Sequence, residues 1–330
     1  MNTFGTLFRI SIFGESHGNH VGVTVDGCPA GIALSVEDFK ADLDRRRSGK
    51  KGTTIRKEKD VPQIISGVYN GYTTGSPLTV LFENQDVRSS DYDFKSVPRP
   101  GHADFTATKK YGGFADLRGG GHLSGRLTVG LVIAGVIAKK ILPNVSIKAR
   151  LVEAGGSSDI ETAVDKAVQA GDSIGGVVEC RVNGLPVGLG EPFFNPVESL
   201  ISHLVFSVPA VKGIEFGAGF RAAGMSGKEH NDLFIDGEGR TASNHAGGVN
   251  GGITNGNELY FSVSVKPASS IAVAQETFNF EKGKKETLLI KGRHDVCIAL
   301  RVPVILEAVA AIVLADLVLI QKALQPKKIY

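Results

Sequence analysis

Two stretches of this chain are apolar on every side, and a helix with no polar face must be covered all round. The first runs from Arg126 to Leu142 and is stopped by Pro143; Leu127, Val129, Leu131, Val132, Ile133, Val136 and Ile137 leave it no hydrophilic stripe. The second runs from Val304 to Leu324, with Pro303 at or near the first helical position, where a missing N–H is tolerated. By length it would suit a membrane span. Glu307 and Asp316 argue against that, because charges in hydrocarbon are expensive. Both stretches are expected as helices buried inside the protein, with no membrane partner.

What covers them is expected to be sheet. Residues 8–13 and 21–26 read as strands flanking a turn at Gly14–Gly18, and 61–68 and 78–83 as strands joined by a Gly/Thr turn. Strand-like runs recur at 145–152, 174–183 and 258–265. Ser35 opens a capping box, Ser-Val-Glu-Asp, for a helix reaching about Arg47. Residues 84–122 carry little periodicity and read as a long loop or flap. These elements predict an α+β fold, a β-α-β sandwich with buried central helices between antiparallel sheets. No linker-like or low-complexity stretch divides the chain, so residues 1–330 are expected to form a single domain.

Composition narrows the function. Tryptophan is absent and only 7% of residues are aromatic, which suits poorly a protein that stacks bases. Cys28, Cys180 and Cys297 are far apart and show no zinc or CxxC spacing, which predicts no metal site and a reduced, cytoplasmic chain. The N-terminal MNTFGTLFRISIFGESHG has neither a basic n-region nor a long apolar h-region, so no signal peptide is expected.

Four loops bounded by Gly or Pro carry the chemistry: Gly-Glu-Ser-His-Gly (14–18), Arg-Pro-Gly-His-Ala-Asp (99–104), Arg-Gly-Gly-Gly-His-Leu-Ser-Gly-Arg (118–126) and Gly-Arg-His-Asp (292–295). Catalytic groups are commonly mounted on such loops, and four of them spread along the chain predict one shared, strongly polar pocket. The 118–126 loop opens a helix, where free N–H groups and the helix dipole suit phosphate. It is neither a Walker A loop nor a Rossmann GxGxxG.

Two other readings stay open at this point. Gly14–Gly18 fits G-x-S-x-G, the elbow of a serine esterase with Ser16 as nucleophile. Arg45–Asp60 holds eight basic and two acidic residues, which suits RNA bound through Arg45–Lys59 as well as a small polyanion with phosphate and carboxylate groups.

Taken together, GESHG (14–18), LDRRR (43–47), RKEKD (56–60), RPGHAD (99–104), RGGGHLSGR (118–126), PAVKG (209–213), GKEHND (227–232), NHAGG-NGGI (244–253), KPASS (266–270) and KGRHD (291–295) resemble the chorismate synthase family. The segments are collinear and cover nearly the whole chain. The resemblance implies a homotetramer that uses reduced FMN. It implies the 1,4-anti elimination of phosphate and a C6 hydrogen from 5-enolpyruvylshikimate 3-phosphate to give chorismate, in the shikimate pathway, with no net redox change. It leaves open whether the chain reduces its flavin with NADPH or relies on an external flavin reductase.

The resemblance also assigns roles. His102 would protonate the departing phosphate, His17 would hold the flavin in its working protonation state, and Asp295 would be the flavin-linked base. Arg46, Arg47, Lys51, Arg56, Arg99, Ser124 and Arg126 would bind substrate. His122, Leu123, Ser124, Pro209, Ala210, Gly251, Lys266, Pro267, Ala268, Ser269, Ser270 and Arg293 would contact the flavin.

Three departures from the family pattern matter. His122 stands where an Arg is usual, which predicts a weaker or pH-dependent contact. Leu127 replaces the usual Glu, which leaves Arg126 without its customary carboxylate. Lys50 and Lys51 stand where an Arg is common, and lysine cannot form the same bidentate fork.

Overall fold

A computed structural model describes residues 2–49, 51–54, 59–85, 94–290 and 294–324. The two all-apolar stretches form the helices Thr128–Ile141 and Val302–Ala323. Pro303 lies in the first turn of the second helix, as expected. The two helices pack against each other. A Cβ on Gly135 would stand 2.3 Å from the Ala308 Cβ, so the absence of a side chain at Gly135 sets how closely they cross.

Each helix lies on a sheet. The first packs on the strands Arg9–Gly14 and His20–Asp26, which belong to a five-stranded antiparallel sheet with Thr3–Phe4, Leu78–Glu83 and Gln63–Ser66. The register pairs Val21 with Phe82, Val23 with Val80 and Val25 with Leu78. All six are buried, and their alternation gives the sheet one apolar face. The second helix packs on Ser146–Ala154 and Gly176–Asn183 of a four-stranded antiparallel sheet completed by Leu259–Val265 and Val211–Phe216. There Phe261 pairs with Cys180 and Val263 with Val178, again buried.

The acids inside the 302–323 helix are anchors. Glu307 accepts from both Nη atoms of Arg45 at 2.6 Å and from the Ala149 N–H at 3.0 Å. Asp316 accepts the N–H groups of Thr6, Leu7 and Phe8 at 2.8, 2.7 and 2.8 Å, tying the N-terminal segment to the core. Buried carboxylates persist where such partners satisfy them. The most apolar 18-residue stretch within Ile298–Ala323 has 78% of its residues buried.

Sequence expectations fail in three places. Residues 84–122 are more than one loop, since Asp104–Lys110 is a helix. The Gly/Thr turn between the 61–68 and 78–83 runs contains its own hairpin, Val68–Tyr69 with Tyr72–Thr73. The helices Ile160–Ala170 and Val197–Val205 were not read from the sequence. The first had a signal: Asp159 caps the N–H of Thr162, and Gly171 ends the helix at a φ of 66°.

Candidate active site

The segment 118–124 folds as it does because three consecutive glycines hold positive φ, at 58°, 86° and 53°. A Cβ on Gly119 would stand 2.5 Å from His17 Nε2, and one on Gly120 would stand 4.0 Å from His102 Nε2. The bare backbone of this loop therefore lies against both histidines. A side chain at Gly119 would displace His17.

His102 is held from behind. Its Nδ1 lies 2.7 Å from Oδ1 of the buried Asp104, so the ring N–H points at the carboxylate and Nε2 is left for the cavity. Asp104 is itself gripped by a bidentate fork from Arg99, with Nε and Nη2 both at 2.7 Å. Burial opposes the charge on Asp104, but hydrogen bonds from Arg99 and His102 outweigh it and hold the carboxyl well below the usual range. Arg99 also donates to Ser270 Oγ at 3.1 Å, and its guanidinium lies 4.2 Å from the Phe94 ring centroid. Lys266 Nζ and Ser269 Oγ both reach the Gly101 carbonyl, at 2.6 and 2.8 Å. The 266–270 loop thus clamps the loop that carries His102.

A second cluster centres on Asp60, which is buried at a φ of 45°. It pairs with Arg46 Nη1 at 3.2 Å and with Arg126 Nη1. Arg46 spends its remaining donors on Thr128 Oγ1 and on the carbonyls of Gly125 and Arg126. Arg126 Nε donates to Asn84 Oδ1 at 3.0 Å. Its Nη2 is buried with no hydrogen-bond partner among the described residues. One carboxylate between two buried arginines leaves positive charge to spare. Burial, and then the neighbouring Arg301, push the Arg46 guanidinium pKa down, while Asp60 opposes them. Such a site favours an anion.

Asp295 completes the ring. Its Oδ1 accepts the Thr54 N–H at 2.9 Å, and its Oδ2 faces Arg301 Nη1 at 3.3 Å. Next to it, His294 has a buried Nε2 with no partner among the described residues. Burial, and then Arg99, hold the His294 pKa below its ordinary value, with Asp295 opposing.

These groups surround a cavity of about 1350 Å³. Of the expected site residues, Arg46, Arg47, His102, His122, Leu123, Ser124, Arg126, Pro209, Ala210, Lys266, Pro267, Ala268, Ser269, Ser270 and Asp295 line it. His17 sits at its edge against Gly119. Ala210 holds a φ of 72°, an unusual backbone conformation of the kind that clusters at ligand sites. Arg56 and Arg293 lie outside the described residues, as does Lys50.

Several expectations need correction. Arg46 and Arg99, expected to hold substrate anions, have their donors taken up by protein acceptors. Lys51 is not at the cavity; its ammonium pairs with Asp165 at 2.6 Å on the surface. Gly251 is in the turn between Val249–Asn250 and Ile253–Thr254, away from the cavity. Arg126 does not lack a carboxylate where Leu127 replaces glutamate, because Asp60 supplies one. His122 Nδ1 donates to the Gly14 carbonyl at 2.8 Å, and its Nε2 lies 3.1 Å from Asn2 Oδ1. That ring braces the loop as well as lining the cavity.

The two rival readings also lose their footing. Ser16 is fully buried, and its Oγ has no hydrogen-bond partner among the described residues, so no base activates it. In the basic segment Arg45 pairs with Glu307, Arg46 with Asp60, Arg47 with Asp44 and Lys51 with Asp165. These described basic residues are paired with carboxylates rather than left as unpaired cations.

Asp60, Asp104, Asn84 and Arg301 were assigned no role from the sequence. Asp104 had a signal, lying two residues after His102 at the start of a helix. Asp60 closes the RKEKD segment (56–60), whereas Asn84 and Arg301 reach the site through long-range folding and no local pattern marks them.

The fold sets buried arginines and a histidine ring held by a carboxylate around one cavity, a set of groups suited to an anionic ligand and to proton transfer, as in a lyase. The family model for chorismate synthase matches residues 8–319. A chorismate synthase of Chitinophaga pinensis is 63% identical over 98% of both chains, and one of Dehalococcoides mccartyi is 44% identical over 96% of both. A crystal structure of chorismate synthase superposes with a TM-score of 0.75 at 27% identity, covering 96% of this chain and 93% of that one. The chain belongs to the chorismate synthase family, a family of carbon–oxygen lyases.

Proposed function

We propose that this cavity carries out the family's reaction, the 1,4-anti elimination of phosphate from 5-enolpyruvylshikimate 3-phosphate to give chorismate, with His102 as the proton donor to the departing phosphate. One observation carries this reading. The Asp104 carboxylate lies against His102 Nδ1, so that as an imidazolium His102 would keep its Nδ1–H on Asp104 and give its Nε2 proton into a cavity lined by Arg126, whose Nη2 has no hydrogen-bond partner among the described residues. An arginine donor left unsatisfied in a buried site is costly unless an anion meets it. Arg126 is thus assigned to the substrate's anionic groups, with Arg47 and Arg301 lining the same cavity. Arg46 and Arg99 are assigned to positioning their neighbours, because each of their guanidinium nitrogens already has a protein acceptor. Ser124, whose Oγ accepts the Arg126 N–H, lines the same cavity and would lie near a bound anion.

The residues present fit reduced FMN. The cavity exceeds the roughly 300–1,000 Å³ usual for one ligand, which leaves room for substrate and cofactor together. Ile10, Ile12, Leu131 and Ile305 give an apolar wall, and the Lys266–Ser270 loop supplies hydroxyls and an ammonium. His122, Leu123, Pro209 and Ala210 complete the part that would hold the flavin. When bound, the reduced flavin supplies electron density to the allylic system that loses phosphate. His17, against Gly119, would hold or release a proton beside the cofactor, and Asp295 would be the flavin-linked base that helps remove the C6 hydrogen. Arg301 Nη1, 3.3 Å from Oδ2, would orient that carboxylate.

We further infer a β-α-β sandwich in a single domain. One buried core runs from Phe8 to Leu317 and includes both sheets and both helices. A homotetramer is supported by the large exposed side chains Phe193, Phe194, Phe220 and Phe234, each at least three-quarters exposed. A cytoplasmic setting is supported by three buried, unbridged cysteines. Supply of reduced flavin, by NADPH at this chain or by an external reductase, belongs to the same proposal.

The test is an anaerobic assay with reduced FMN and 5-enolpyruvylshikimate 3-phosphate. The expected result is chorismate absorbance rising with phosphate release and depending on reduced flavin. Folded protein that forms no chorismate would overturn the reading.

A further inference from the structure

Asn84 follows directly on the strand Leu78–Glu83 and stands between two parts of the site. Its Oδ1 accepts from Arg126 Nε at 3.0 Å. Its Nδ2 donates to the Glu15 carbonyl at 3.0 Å and to the Gly18 carbonyl at 2.7 Å. Its own backbone N–H donates to the Asn19 carbonyl at 3.0 Å, which fixes where the side chain starts. The amide can be oriented only one way. A guanidinium only donates and a carbonyl only accepts, so the oxygen must face Arg126 and the nitrogen must face the turn.

Glu15 and Gly18 bracket His17. The turn they form is closed by the Gly18 N–H donating to the Glu15 carbonyl at 3.1 Å. One small, rigid amide therefore ties the guanidinium assigned to the substrate anion to the loop that presents a histidine.

We propose that Asn84 is a positioning residue that couples Arg126 to the turn carrying His17, so that the anion clamp and the imidazole share one fixed geometry. This rests on the roles given above to Arg126 and His17. The coupling follows from the bond geometry. Arg126 has its Nη1 on Asp60 and its Nε on Asn84, so two of its three nitrogens are fixed and Nη2 is aimed. Movement of Arg126 on anion binding is passed to the two carbonyls beside His17 through Asn84.

Two substitutions separate the halves of the link. Asn84→Asp keeps an oxygen for Arg126 Nε but sets a second oxygen, with no donor, against the two carbonyls. It is expected to leave KM for 5-enolpyruvylshikimate 3-phosphate within about threefold while kcat falls about tenfold or more. Asn84→Ala loses both halves, so KM is expected to rise about tenfold as well. A purely structural role would not split kcat from KM. An Asn84→Asp variant with kcat within twofold of the parent, or one whose loss lies in KM alone, overturns the proposal.

The second readout needs no turnover. In NMR spectra of the full chain, the His17 ring resonances are expected to shift in Asn84→Asp while those of His102 hold. Unmoved His17 resonances overturn the coupling even if Asn84→Ala fails to fold. Parent protein that makes no chorismate would instead sink the elimination reading, and the spectra would still decide the coupling.

Discussion

Asp104 Oδ1 lies 2.7 Å from His102 Nδ1, and this pair turns a flexible ring into a group with one free nitrogen facing the cavity. Arg99 completes the arrangement by holding both carboxylate oxygens. Asp104→Asn should keep the size of the side chain and lose the charge that fixes the tautomer. We expect kcat to fall at least about tenfold with KM little changed. Steady-state kinetics with reduced FMN checks this, and an unchanged kcat would remove Asp104 from the mechanism.

The same carboxylate sets an acid limit on stability. Although burial opposes its charge, Arg99 and His102 depress its pKa in the folded state. A depressed carboxyl pKa contributes stability that is fully present above the unfolded value of about 3.9 and is lost as pH falls through the folded value. Denaturant melts of Asp104→Asn should therefore show a flatter loss of stability below about pH 4 than the parent shows. Equal steepness in both proteins would contradict this.

Arg46 and Arg126 share Asp60 but should fail differently. Arg46→Met removes donors from two backbone carbonyls, Thr128 and a buried carboxylate, and should cost about 3–5 kcal/mol of stability. Arg126→Ala should instead appear mainly as a rise in KM of about tenfold or more, because the lost group includes an Nη2 with no partner among the described residues. Urea melts and kinetics on both variants separate the two. Equal stability loss with no change in KM for Arg126→Ala would refute the clamp.

Gly119→Ala tests the loop. A methyl group there meets His17 Nε2 at 2.5 Å and sits on a backbone with a φ of 58°. Turnover should drop about 10²-fold or more as His17 is displaced, while the core helices are untouched. Circular dichroism should match the parent. A variant with normal turnover would show that His17 is not held by this loop.

The parts of this molecule that the sequence discloses are those with local causes. The all-apolar helices are read from their composition alone, since Leu131, Ile133 and Ile137 leave no face for water. The strands around Val21–Val25 and Phe261–Val265 follow from alternation. The histidine loops are visible because glycine and proline punctuate them. Partner choice was not legible. Nothing near Arg46 in the chain says that its donors go to Thr128 and Asp60, nor does Leu127 reveal that Arg126 pairs with Asp60. Those facts are set by how distant segments meet, and they give Arg46 and Arg99 protein acceptors that the sequence did not name.

The central claim is that His102 delivers the proton to the leaving phosphate in a flavin-dependent elimination. Anaerobic single-turnover reaction of the parent and His102→Ala with reduced FMN and 5-enolpyruvylshikimate 3-phosphate tests it most directly. The parent should release chorismate and phosphate one for one, and the folded variant should do so about 10²-fold or more slowly. Equal single-turnover rates in the two proteins would contradict the account.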